Sequence, residues 1–152
     1  MDSFDKQILS ILQKDCTQST SAIAEQVGLS TTPCWRRIQA MEKSGLIKGR
    51  VVLADADKLN VGLTIFVMIK TNQHNPKWLA TFAEIAMDFP EIVEFYRMSG
   101  AVDYLLKVVV TDMKAYDNFY KKLITKTDFS DISSSFAMEE IKYTTALPVD
   151  YI

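Results

Sequence analysis

A chain of 152 residues with a formal net charge of −2 is long enough for one domain or two small ones with real apolar cores. No run approaches the ~18 apolar residues of a membrane span, the acidic start Met1-Asp-Ser-Phe-Asp5 lacks the order of a signal peptide, and Cys16 and Cys34 fall on separate elements without metal-ligand spacing, so a cytoplasmic protein with reduced thiols is expected. The small net charge hides an uneven distribution: residues 1–53 hold seven Lys/Arg against five Asp/Glu, residues 54–152 ten against fourteen, and after Lys14 the cations of the first segment all lie at Arg36, Arg37, Lys43, Lys48 and Arg50, the clustering that phosphate binding needs.

In chain order, Phe4, Ile8, Ile11 and Leu12 predict a first helix from about Phe4 to Asp15. After a polar break from Thr17 to Ser21, Thr20 is placed to cap a short second helix carrying Ile23, Ala24 and Val27. Gly28 suits a chain leaving a helix through a left-handed conformation, and Leu29 plugs between the helices. Ser30 reads as the N-cap of a third helix, its hydroxyl accepting from a first-turn amide, with Pro33 inside that first turn. Cys34, Ile38 and Met41 then form one apolar face, opposite Thr31, Thr32, Trp35, Arg36 and Gln39. Two short helices joined by a Gly-containing turn are the helix-turn-helix signature, and its second helix enters the DNA major groove. The expected DNA-contacting set is Ser30, Thr31, Thr32, Trp35, Arg36 and Gln39 on or beside the bases, with Arg37, Lys48 and Arg50 on the backbone. For Trp35 the spacing leaves two readings open, the groove or the edge of the core.

Leu46 to Leu53 alternates enough for a small hairpin, or wing, and Asp55 to Gly62 is polar, so residues 1–53 read as a winged helix-turn-helix domain and 54–62 as a linker. Beyond it the periodicity changes. Leu63–Lys70 is a strand; Pro76 opens a helix with Trp78, Phe82, Ile85 and Phe89 on one face, and Pro90 stops it. Val93–Ser99 and Tyr104–Val110 are strands joined by Gly100-Ala-Val-Asp103. Met113, Tyr116, Tyr120 and Leu123 mark a further helix, and Ile132–Ile141 a last strand. The order β-α-β-β-α-β over residues 63–152 is that of a ferredoxin-like domain, giving an α+β chain. Strands Leu63–Lys70 and Tyr104–Val110 are apolar on both faces, and two helices cover only one face of a sheet. A second subunit's sheet is the economical cover for the other, so a homodimer is expected.

Other residues carry less. His74, the only histidine, sits in a polar loop with no nucleophile paired to it and reads as solvated. Cys34 lies on the apolar stripe and reads as packing, Cys16 has no adjacent base, and adjacent Glu139 and Glu140 point to opposite faces if on a strand. With no phosphate loop, dinucleotide glycine pattern or zinc spacing, neither an enzyme nor a metal or cofactor is expected.

Four stretches in this order resemble the Lrp/AsnC (feast/famine) family of bacterial and archaeal transcription regulators: Phe4-Asp-Lys-Gln-Ile-Leu-Ser-Ile-Leu-Gln-Lys-Asp15, Val27-Gly-Leu-Ser-Thr-Thr-Pro-Cys34, Ser99-Gly-Ala-Val-Asp-Tyr-Leu-Leu106 and the strand from Ser133 to Lys142. Thr32-Pro-Cys-Trp-Arg-Arg37 and the tail from Ser134 to Pro148 look closest to a proteobacterial branch regulating cysteine catabolism and detoxification, although related branches share much of the tail. The resemblance implies a sequence-specific regulator of double-stranded DNA whose C-terminal domain binds a small amino acid between dimers of an octamer. Carried onto this chain, the effector residues are Met98, Ser99, Gly100, Asp103, Tyr104 and Ser134. The family's loop commonly has Gly or Glu and then an acidic residue after its Ser-Gly; Ala101 and Val102 stand here, which leaves the effector open, with cysteine first and leucine or methionine next. Backbone amides and Ser134 would hold its carboxylate and Asp103 its ammonium, with Met98 and Tyr104 as walls. Equally, Ser99-Gly100 is a plain hairpin turn and Asp103 its hydrogen-bonding partner. Two other functions compete: a nucleoid-architectural DNA binder, and an amino-acid-binding regulatory subunit of a protein complex.

Overall fold

The computed structural model describes residues 1–151, among which five helices and four strands form. Contacts divide the chain into two units, Met1–Leu53 together with the tail from Ile141, and Ala54–Glu140.

In the first unit, α1 (Ser3–Lys14) opens on a capping box in which Asp2 and Asp5 each accept the other's backbone N–H, at 3.0 and 3.1 Å. The cap of α2 (Thr20–Val27) is Ser19, whose hydroxyl accepts from the Ala22 amide; Thr20, expected in that role, is already the first helical residue. In a Ser-Thr-Ser run the backbone decides, and Ser19 is the one left extended. Gly28 ends α2 with φ +73, its amide and that of Leu29 returning to Glu25 and Ala24. Ser30 occupies the N-cap position of α3 (Thr31–Lys43), but its hydroxyl caps nothing. The cause is Pro33, the third helical residue, which lacks an amide that such a cap would bind. Cys34, Ile38 and Met41 are buried against Ile8, Leu9, Ile23, Ala24 and Val27, as their spacing requires.

The expected wing does not form. Residues 46–53 carry no strand, and Val51, Val52 and Leu53 stand exposed. A lone two-stranded ribbon is marginal in water, and here only Ile47 docks on the core. The tail fills in elsewhere: Val149 packs on this core, and the Gln13 side chain forms a two-way amide clamp with Leu147, accepting its N–H at 2.7 Å and donating to its carbonyl at 3.0 Å. The expected domain 63–152 therefore gives up its last residues to the first unit.

The second unit opens on a turn at 55–61 in which the Asp55 carboxylate accepts the amides of Asp57 and Lys58. Strands β1 (Leu63–Lys70), β2 (Ile92–Arg97), β3 (Tyr104–Val110) and β4 (Asp131–Phe136) form an antiparallel sheet of order β2-β3-β1-β4, crossed by α4 (Pro76–Met87) and α5 (Met113–Lys126). This is the ferredoxin-like arrangement. β4 ends at Phe136 rather than at Ile141, because its partner β1 begins at Leu63 and the ladder runs out once Ala137 has bonded Thr64. Ile65, Val67, Ile69, Leu106 and Val108 are buried with Phe82, Phe119 and Leu123. The other sheet face carries Phe66, Met68, Leu105 and Val109 around a Glu94–Lys107 ion pair at 3.3 Å, and Phe66 keeps 37% of its surface exposed. No helix among the described residues is long and apolar enough to cross a membrane.

Candidate nucleic-acid interface and ligand cleft

Thr31, Thr32, Trp35, Arg36 and Gln39 all lie on the exposed side of α3, and Trp35, 52% exposed, faces outward rather than lining the core. Ser30 and Lys48 are exposed at either end of the same segment. Among the described residues Arg36, Lys43 and Lys48 make no ion pair, so three cations remain available to phosphates.

Arg37 is engaged within the protein. Its guanidinium lies 2.7 Å from both Asp2 and Asp5 and 5.5 Å from the centre of the Phe4 ring. It therefore ties α3 to the capped start of α1 rather than standing free for the DNA backbone. Hydrogen bonds to Asp5, then Asp2, hold its pKa up; the Asp5 amide, seconded by Arg37, holds the Asp2 carboxyl below its ordinary value. The helical phase carried the signal, since position 37 is three beyond Cys34 and four before Met41, on the border of the buried stripe. Gln39 and Arg50 are also engaged: Gln39 Nε2 donates to one oxygen of Glu42 at 2.8 Å, and Arg50 donates to the other at 2.9 Å. Burial pushes the Cys34 thiol up, which keeps it protonated and suits packing rather than reactivity.

In the second unit, a cleft of about 350 Å³ is lined by His74, Asn75, Pro76, Leu79, Arg97, Met98, Asp103 and Tyr104. Asp103 organises it. Its amide donates to Ile69 at 2.9 Å, its carbonyl accepts from Met98 at 2.8 Å and closes the β2–β3 loop, and its Oδ2 accepts the buried Thr71 amide at 2.9 Å. The other oxygen, Oδ1, lies 3.9 Å from His74 Nδ1. Asp103 is thus the turn's hydrogen-bonding partner through its backbone carbonyl, while one carboxylate oxygen holds the Thr71 amide beyond β1 and the other has no hydrogen bond among the described residues. Tyr104 lines the cleft, its ring tilted against Trp78 and edge-on to Phe82 and Phe95. Ser99 and Gly100 form the exposed tip of the loop, Gly100 at φ +127, outside the cleft lining.

Ser134 does not join this group. It sits on β4 opposite Val67, with β1 between it and the loop, and its hydroxyl is bonded to that of Tyr116. Alternation with Ile132 and Phe136, both packed on the core, puts it on the helix-covered face. Five lining residues lie outside the expected set: His74, read from the sequence as solvated, and Asn75, Pro76, Leu79 and Arg97. Arg97 adjoins Met98, whereas His74 reaches Asp103 only through the fold.

Two family models match: a winged helix-turn-helix DNA-binding domain over residues 1–48, and the Lrp/AsnC ligand binding domain over residues 64–147. The chain is 48% identical over 99% of both sequences to the DNA-binding transcriptional activator DecR of Escherichia coli K12. It is 44% identical to the glutamate uptake regulatory protein of Zymomonas mobilis, covering 98% of this chain and 91% of that protein. Its fold matches a crystal structure of an AsnC family transcriptional regulator from Agrobacterium tumefaciens with a TM-score of 0.97, at 58% identity over 100% and 99% of the two chains. It also matches a transcriptional regulator from Neisseria meningitidis in complex with L-Met, with a TM-score of 0.94, at 31% identity over 99% and 98%. These relatives are regulators, not enzymes, and the chain belongs to the Lrp/AsnC family: it is a DNA-binding transcription regulator that carries a ligand-binding domain.

Proposed function

We propose that DNA binding by this regulator responds to a small α-amino acid held in the cleft beside Asp103. The division of labour at that carboxylate supports the reading: Oδ2 holds the Thr71 amide, while Oδ1 lies 3.9 Å from His74 Nδ1, a neighbour in the cleft lining. An ammonium group is the natural partner for the second oxygen, through a charge-assisted hydrogen bond. Arg97 supplies a cation for the α-carboxylate, and the positive end of α4, capped by Asn75, borders the same space. Leu79, Met98 and Tyr104 offer an apolar wall to a side chain. A cleft of about 350 Å³ suits one small ligand. Cysteine is the first candidate, on the motif resemblance at Thr32–Arg37 and in the tail. Methionine and leucine come next, the Neisseria relative being an L-Met complex, and the name of the Zymomonas relative adds glutamate to the screen.

The working assembly is a cytoplasmic homodimer, built on to an octamer, that reads a pseudo-palindrome with its two α3 helices. Thermal unfolding in the presence of each of the twenty amino acids tests the ligand: a compound that binds only the folded state raises the midpoint. The expected result is a rise with one or a few small amino acids that Asp103→Asn abolishes. No rise with any of them contradicts the reading.

A further inference from the structure

Two of the groups expected to meet DNA, Gln39 and Arg50, are held by a single carboxylate, Glu42, one on each oxygen. Glu42 is also the only acidic residue between Glu25 and Asp55, a stretch that contains Arg36, Arg37, Lys43, Lys48 and Arg50. We propose that Glu42 is a built-in substitute for a DNA phosphate, which occupies Arg50 and Gln39 in the free protein and so sets the ratio of specific to non-specific affinity.

A carboxylate and a phosphate present a guanidinium with the same paired oxygens, so either can occupy Arg50. The pair is exposed, with 34% and 49% of the two side chains accessible, so it exchanges easily. Approach of a polyanion places Glu42 in repulsive proximity to the backbone, and Arg50 must leave it before it can bind a phosphate. On a cognate site the Gln39 amide, released at the same time, gains a base edge such as adenine, and that contact offsets the lost pair. On any other sequence nothing offsets it. The mask therefore penalises non-specific binding more than specific binding. The proposal rests on α3 facing the DNA, and the test separates the two claims.

Equilibrium binding of the full-length protein to a random-sequence duplex, and to a high-affinity duplex selected by the protein from a random library, is measured over a range of salt for wild type, Glu42→Gln, Arg50→Ala, the double variant and Arg36→Ala; the random-sequence duplex reads the mask. All these positions are exposed or partly exposed, and circular dichroism verifies the fold. Freeing one phosphate contact makes Glu42→Gln bind about fivefold more tightly at roughly 0.15 M salt and steepens the log–log salt slope by about 0.9. That gain disappears in the Arg50→Ala background. Unchanged or weaker binding by Glu42→Gln, alongside a clear loss in Arg36→Ala, overturns the mask alone. A loss confined to a selected high-affinity duplex, with relaxed preference at one cytosine, also overturns it and makes Glu42 a base reader. If neither variant changes binding, the placement of α3 on DNA falls, and the mask with it.

Discussion

Arg36 and Arg37 are sequence neighbours on α3 that the fold uses differently, and the difference is measurable. Arg36→Ala is expected to leave stability unchanged and to reduce the salt slope of DNA binding by about one contact. Arg37→Ala is expected to lower the thermal midpoint, because it releases Asp2, Asp5 and the Phe4 ring together. The pH dependence of that deficit follows from Asp2, whose folded pKa lies below the ordinary 3.8, chiefly through the Asp5 amide and then through Arg37. A depressed carboxyl contributes its stability above the unfolded value and loses it as pH falls through the folded one. The difference in midpoint between wild type and Arg37→Ala is therefore full at neutral pH and shrinks below about pH 4. At the cleft, Asp103→Asn keeps an acceptor for the Thr71 amide and removes the charge that an ammonium needs. Calorimetry should find ligand affinity reduced about 10-fold or more with the fold intact. Asp103→Ala also orphans the buried Thr71 amide and should cost about 1–3 kcal/mol of stability, seen as a lower urea midpoint.

At the scale of elements, the tail clamp makes its own prediction. Gln13→Ala removes both hydrogen bonds to Leu147; at about 1 kcal/mol each, this should speed exchange of the locally opening α1 amides roughly tenfold or more. Truncation after Lys142 should do at least as much, since Val149 leaves the core as well. Exchange rates in α1 that match wild type in both variants contradict a structural role for the tail. The helices and most strands were legible because each announces itself through its own period: Cys34, Ile38 and Met41 at helical spacing, and Tyr104, Leu106 and Val108 at strand spacing, are all buried. What the sequence reading missed depends on partners distant in the chain. Residues 46–53 have strand-like residues but no sheet to join. β4 stops where β1 supplies no further partner, and nothing near Leu147 in sequence announces Gln13. The exposed face of α3 followed from its phase, yet which polar groups on it are already bonded did not. The cleft was half legible: Met98, Asp103 and Tyr104 line it, but Ser134, placed there by motif, belongs to the opposite side of β1.

For the whole molecule, the proposed assembly turns on the open face of the sheet. Phe66, Met68, Leu105 and Val109 surround the Glu94–Lys107 pair on the face opposite the core that α4 and α5 cover, and an apolar sheet face calls for a second sheet. Phe66→Asp, outside the buried core, should give a folded monomer in sedimentation where the wild type is at least a dimer. A wild-type monomer at micromolar concentration contradicts this assembly. A monomer with one reader also binds a pseudo-palindrome weakly, so assembly and DNA affinity should fall together. One titration decides whether an amino acid at Asp103 changes DNA binding. A duplex selected from a random library by the protein itself is titrated with wild type and with Asp103→Asn, each with and without the amino acid that most stabilises the wild type. A ligand acts on DNA binding only through its differential affinity for two states, typically about 1–3 kcal/mol, or roughly 5–150-fold. The expected result is a shift of that size in wild type and none in Asp103→Asn, with the two ligand-free isotherms superimposed. An equal shift in both proteins, or none in the wild type with any amino acid, contradicts the account.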